Sequence, residues 1–237
     1  VLYSRKKYPL LRFELKRRML DKEMLIQGVR LGIPPMIQSG IHALGSLVLQ
    51  NFMNGFGSRT VAAITTAYRV DSIVILPMTN LGAGISTLVA QSYGAGDIKR
   101  TRKIFAVGAL MMALVSLMMT GLVIPFGGRL IALFGVGSEA VAIGSAFFTR
   151  LAAFYVVYGL AAAIRGYIEG LGDVTYSSIT GILSLLSRII LSYACVSFLG
   201  DRIIAYAEAF SWVFLLLLYI FRLIWKYRQE KTEQAAK

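Results

Sequence analysis

Six long apolar stretches dominate this chain and constrain its fold more than any other feature. They cover residues 28–53, 60–93, 104–124, 139–164, 175–199 and 203–225. Each reaches the roughly 20 residues that a helix needs to cross a bilayer. In hydrocarbon every backbone N–H and C=O must be satisfied within the fold, which a helix does by itself. The expectation is an all-α integral membrane protein with six transmembrane helices. Composition agrees, since 57% of the 237 residues are hydrophobic and only 16% are charged. A soluble domain has roughly 45–50% and about 25%, so an ordinary soluble enzyme is excluded. A disordered chain is excluded too, because such chains are polar and poor in aromatics. The net charge of +13 would suit a nucleic-acid binder, but the mean hydropathy of +0.67 would not. The expected partner is therefore the lipid bilayer and not nucleic acid.

Smaller features set further bounds. A single cysteine, Cys195, allows no internal disulfide. A single histidine, His42, leaves none of the usual His or Cys metal sites, so no metal is expected. There is no Gly-x-Ser-x-Gly, no phosphate-cradling Gly-rich loop ending in Lys-Ser/Thr and no paired histidine, and an enzyme is not expected. The start at Val1 suggests a segment cut from a longer chain, and the basic residues through 1–23 do not suit a secretory signal.

The connections read as turns. Asn54-Gly55-Phe56-Gly57-Ser58 offers Ser58 or Thr60 as an N-cap. Gly94-Ala95-Gly96-Asp97 and Gly170-Leu171-Gly172-Asp173 each pair a glycine able to end one helix with an Asp able to cap the next. Pro77 predicts a kink in the second span, and Pro34 and Pro35 a softened start to the first. Residues from Pro125 to Ser138 read as a long connection holding a short interfacial helix over 129–134. Residues 1–27 form a basic linker, with 8–27 suited to an amphipathic helix on the membrane surface, and 226–237 a polar tail. The membrane domain itself is 28–225.

Charge orients the spans. With six passes, both termini and the loops after spans two and four share a side. That side carries Arg5, Lys6, Lys7, Arg12, Lys16, Arg17, Arg18 and Lys22. It also carries Lys99, Arg100, Arg102, Lys103, Arg165, Arg222, Lys226, Arg228, Lys231 and Lys237. The other side has Arg59, Arg129 and Arg202. The positive-inside rule then places both termini in the cytoplasm.

Ionisable residues inside the spans are costly and mark function or structural pairing. Asp71 lies about 16 Å into the second span at 1.5 Å per residue, near the midplane, and reads as the one deep carboxylate. Arg150 falls at similar depth, and Arg188 and His42 within a turn or two of it. Arg69, two residues before Asp71, is on nearly the opposite helix face. These five form the candidate ion-coupling and substrate cavity, with an Asp71 ion pair to Arg150 or Arg188 as the structural alternative. Glu208, early in the sixth span, reads as solvated or hydrogen-bonded near the membrane surface. Gly82, Gly84, Gly159 and Gly166 read as close-packing positions.

An ordered series of short motifs resembles the multidrug and toxic compound extrusion family. It runs Leu31-Gly32-Ile33-Pro34, Asn54-Gly55-Phe56-Gly57, Arg69-Val70-Asp71 and Pro77. It continues with Gln91-Ser92-Tyr93-Gly94-Ala95-Gly96-Asp97 and Arg100, then Arg165-Gly166-Tyr167 and Glu169-Gly170-Leu171-Gly172-Asp173. The resemblance implies the second of two six-helix lobes in a twelve-helix plasma-membrane transporter, related by a parallel pseudo-two-fold repeat. It further implies efflux of small organic, often cationic, substrates by alternating access, with inward H⁺ or Na⁺ as the coupling cation and no other cofactor. The missing first lobe would be the partner. Two positions depart from the sodium-coupled pattern: His42 stands where such members have an acid, and Glu139 is the sole acid of the fourth span. Two alternatives stand beside this reading. One is a lipid-linked oligosaccharide flippase, favoured by an excess of Arg69, Arg150 and Arg188 over Asp71. The other is a non-transporting scaffold or channel subunit.

Overall fold

The computed structural model describes residues 21–235, with side chains through 229. The linker helix expected over 8–27 lies largely outside the described residues, and from Lys22 the chain is already in the first helix. Among the described residues the fold is all helix: α1 (Lys22–Asn54), α2 (Ser58–Val74), α3 (Leu76–Gly94), α4 (Ile98–Ala132), α5 (Ser138–Ala152), α6 (Tyr155–Gly170), α7 (Val174–Leu199) and α8 (Ile203–Ala235). They amount to six passes, because α2 runs on into α3 as one 37-residue stretch and α5 with α6 is one span bent by 53°.

Three described stretches are long and apolar enough to cross a membrane: Ser58–Gly94, Ile98–Ala132 and Val174–Gln229. The α5–α6 pair makes a fourth when its 53° bend is read as a break within one span. Val174–Gln229 is 56 residues, about 84 Å of helix at 1.5 Å per residue, far more than a bilayer of about 30 Å. It is two passes, folded back at the 3-10 turn Gly200–Arg202, where Gly200 takes φ 57°. Helix α1 is long enough but less apolar, being interrupted by Gln38 and His42.

The turns follow the sequence closely. Asp97 caps α4, accepting from Arg100 N–H at 2.9 Å. Gly96 and Gly172 take φ of 75° and 86°, open only to glycine at little cost. At the first turn the cap is Gly57 and not Ser58 or Thr60. Asp173 sits at the cap position of α7, yet its carboxylate turns away to α8. There Arg222 reaches it at 2.6 Å and Lys226 at 3.2 Å. Burial alone would raise the Asp173 pKa, but the Arg222 and Lys226 partners outweigh it and hold the carboxyl below the usual range. A carboxyl held down in the folded state adds stability above its unfolded pKa of about 3.9 and loses it as pH falls through the folded value. Asp173→Asn should therefore lower stability by about 1 kcal/mol at pH 7. That difference should shrink as pH falls through the folded value. Thermal unfolding of the detergent-solubilised protein over a falling series of pH values checks this.

The prolines behave differently from one another. Pro77 lies in the first turn of α3, where its missing N–H costs nothing, and the second span runs on past it as one stretch, with Ile75 still bonded helically to Asp71 and Thr79. Pro34 and Pro35 are accommodated inside an unbroken α1. Pro125 also lies inside a helix, so the expected connection from Pro125 to Ser138 is corrected: α4 runs to Ala132 and the turn begins at Leu133. The glycines that read as loop residues there serve packing instead. A Cβ on Gly127 would come within 3.1 Å of the Phe148 ring, and one on Gly128 within 3.3 Å of Ser145 Oγ.

Close packing of α3 on α6 fixes the centre of the lobe. A Cβ on Gly166 would lie 2.3 Å from the Gly82 carbonyl oxygen, and one on Gly170 2.7 Å from the Ser86 carbonyl oxygen. Gly159 is equally tight against Ser116 of α4, at 2.0 Å. Gly84, by contrast, faces open space and is no packing position. Small residues let helices approach to backbone contact, which replaces the hydrophobic drive that lipid cannot supply.

Candidate functional site

Asp71 of the second span lies beside the break in the α5–α6 span. Helix α2 ends at Val74, one turn beyond Asp71, and α6 begins at Tyr155, directly after the α5 break. Tyr155 donates its hydroxyl hydrogen to Asp71 Oδ1 at 2.6 Å, and both residues are buried. The backbone at that break is satisfied as membrane burial requires: Thr120 of α4 donates to the Ala152 carbonyl at 3.0 Å. Tyr155 packs beside Trp212 of α8, with ring centroids 6.1 Å apart.

A second set of polar groups adjoins the first. Tyr68 lies three residues before Asp71, hence on the same side of α2. Arg188 of α7 donates to the Tyr68 hydroxyl at 2.7 Å and to Glu208 Oε1 of α8 at 3.2 Å. The Glu208 side chain is 9% exposed and that of Arg188 20%. Glu208 Oε2 and Thr65 Oγ1 are buried without a hydrogen-bond partner among the described residues. This cluster thus holds two carboxylates, Asp71 and Glu208, against one guanidinium, with two phenols between them.

This arrangement changes the sequence-based site. Asp71 and Arg188 are brought into one neighbourhood, but they do not form the ion pair considered above: the partner of Asp71 is Tyr155, and that of Arg188 is Glu208. Arg69 is exposed on the far face of α2, beside Asn54, Ser58 and Thr66. Arg150 is half-buried in a separate cleft with Asp201 and Arg202. His42 is exposed on α1. Glu139 is at the surface, paired with Arg59 at 2.8 Å. Glu208 corrects the reading of Asp71 as the one deep carboxylate, because α8 packs inside the lobe and its first turns are buried from Ile203 onward. Its signal was present as an acid flanked by Ala205, Ala207 and Ala209, a small-residue surface made for close helix contact. Tyr155 had no signal beyond its burial in an apolar run.

A third polar group bridges α1, α6 and α7. Arg165 holds Glu169 at 2.7 Å and the Gln38 side-chain oxygen at 3.3 Å, and Ser177 donates to Glu169. Arg165 is therefore a residue of α6 and not of the following loop.

Six helical passes, one of them broken, around a charged interior define a polytopic helical membrane protein. Residues 34–194 match the MatE family, and the chain belongs to it. It is 27% identical over 238 residues to the probable multidrug resistance protein YoeA of Bacillus subtilis, covering 97% of this chain and 51% of that protein. A second relative, the probable multidrug resistance protein YpnP of the same organism, is 26% identical over 190 residues, covering 78% and 42%. In fold it resembles a MATE protein solved in complex with MaD3S, at TM-score 0.79 and 24% identity over 85% of this chain and 46% of that one. The chain spans about half the length of the curated relatives it matches.

Proposed function

We propose that this chain is one six-helix lobe of a plasma-membrane transporter that exports small organic, often cationic, compounds in exchange for H⁺ or Na⁺. The observation that carries the reading is the buried Asp71–Tyr155 and Glu208–Arg188 cluster beside the break of the α5–α6 span. Two interior carboxylates facing one guanidinium leave room for one added cation, and Glu208 Oε2 has an unused lone pair to meet it. A charge left unpaired in this setting is expensive, so gain and loss of a cation would favour different packings of the helices around it. The second lobe would repeat this one about an axis along the membrane normal, with substrate held between the two and exposed to each side in turn. The basic ends at Lys99–Lys103 and Arg222–Arg228 favour cytoplasmic termini.

The flippase alternative rested on an excess of interior arginine. Only Arg188 lies in the cluster, so its support falls away. Reconstitution of the two-lobe protein tests the proposal. Ethidium should move against its gradient only when an opposing H⁺ or Na⁺ gradient is imposed, and collapse of that gradient should stop it. Movement indifferent to both gradients would remove the coupling from the proposal.

A further inference from the structure

The end of the lobe opposite Arg59 and Glu139 holds a cavity of about 310 Å³ between the start of α4, the end of α6 and the end of α8. Its walls are apolar, made by Phe105, Leu171, Leu223 and Ile224, and its mouth carries Arg102, Lys226 and Tyr227. Ile224 is half exposed, so the groove opens sideways from the bundle as well as along it. The surrounding surface is strongly basic. Lys99, Arg100 and Lys103 precede or follow Arg102 on α4, and Arg222 and Arg228 flank Lys226 on α8. Asp173 is engaged by Arg222 and Lys226, and Asp97 by the cap of α4. Aromatic side chains typical of a membrane boundary sit at the same level, with Arg102 over Tyr227 at 5.5 Å and Arg222 over Trp225 at 4.3 Å.

We propose that this groove binds one anionic phospholipid, its phosphate at Arg102 and Lys226 and its first acyl carbons between Phe105, Leu171 and Leu223. A free phosphate would have no use for the apolar walls, and a zwitterionic lipid none for the surplus of cations. Basic pockets between membrane helices at the bilayer surface select anionic headgroups for this reason. The proposal is independent of the transport reading, because the groove shares no residue with the Asp71 cluster.

Native mass spectrometry of the full-length transporter in mixed micelles tests it, with phosphatidylglycerol and phosphatidylcholine as probes. Phosphatidylglycerol should be retained as a one-to-one adduct where phosphatidylcholine is not. Arg102→Gln should weaken that retention about fivefold, the factor for one basic side chain at an anionic surface. Leu223→Trp, which fills the groove without changing charge, should weaken it at least as much. Arg129→Gln, at the other end, should leave it unchanged. Equal retention of the two lipids overturns the proposal. So does retention indifferent to both Arg102→Gln and Leu223→Trp, and so does an equal loss in Arg129→Gln, which would point to bulk charge.

Discussion

Asp71→Asn in the two-lobe transporter should insert and unfold like wild type but lose gradient-driven ethidium extrusion to background. The substituted amide still accepts from the Tyr155 hydroxyl, so the buried hydrogen bond at 2.6 Å survives in kind. What disappears is the charge, and with it the difference between the cation-loaded and empty states. A transport cycle needs that difference, since a cation can shift an equilibrium only by its unequal affinity for the two states. Tyr155→Phe makes the complementary change. It keeps the charge and removes the donor, leaving Asp71 short of a partner at a cost of about 1–3 kcal/mol. Extrusion should fall roughly tenfold, with a shifted dependence on the driving cation, and not vanish. Wild-type extrusion by Asp71→Asn would reduce Asp71 to a structural acid. Thermal unfolding within about 1 kcal/mol of wild type is the control that separates lost coupling from lost fold.

The second large effect is structural. Gly166→Val should abolish stable folding or cost at least about 3 kcal/mol. The new Cβ would meet the Gly82 carbonyl oxygen at 2.3 Å and its carbon at 3.2 Å. Both are backbone atoms, so no rotamer change relieves the clash and α3 must move off α6. Gly84→Ala, two residues from Gly82 on a face with nothing within 4 Å, should be neutral or slightly stabilising. Thermal unfolding in detergent compares the two. If Gly166→Val unfolds like wild type, α3 and α6 are not held by backbone contact.

The passes, their turns and their shared sides were legible because each rests on local chemistry. Apolar length marks spans, and Gly-Asp pairs mark reversals, as Gly96-Asp97 and Gly172-Asp173 bear out. The break at Ala153 and Phe154 was not legible, having neither proline nor glycine. It is stabilised from another helix, by Thr120, and no local signal reports that. The site was legible in half. Asp71 and Arg188 could be singled out by cost in hydrocarbon, but their partners depend on which helix faces which. For the same reason Arg69 and Arg150 matched Asp71 in depth and proved to lie elsewhere around the bundle. Pro125 misled because the glycines after it, Gly127 and Gly128, suited a helix packed on Phe148 and Ser145 as well as a loop.

The placement of the α5–α6 break has a mechanical consequence. Helix α5 stops after 15 residues, while α2, starting from the same end of the lobe, runs on into α3 beside it. The lobe thus sets a jointed post against an unbroken one. The lower half of the jointed post, α6, is bolted backbone to backbone to α3 at Gly82 and Gly166. Its joint is tied to the unbroken post by the Tyr155–Asp71 hydrogen bond. A change at that tie would therefore act first on the angle between the two halves of the jointed post.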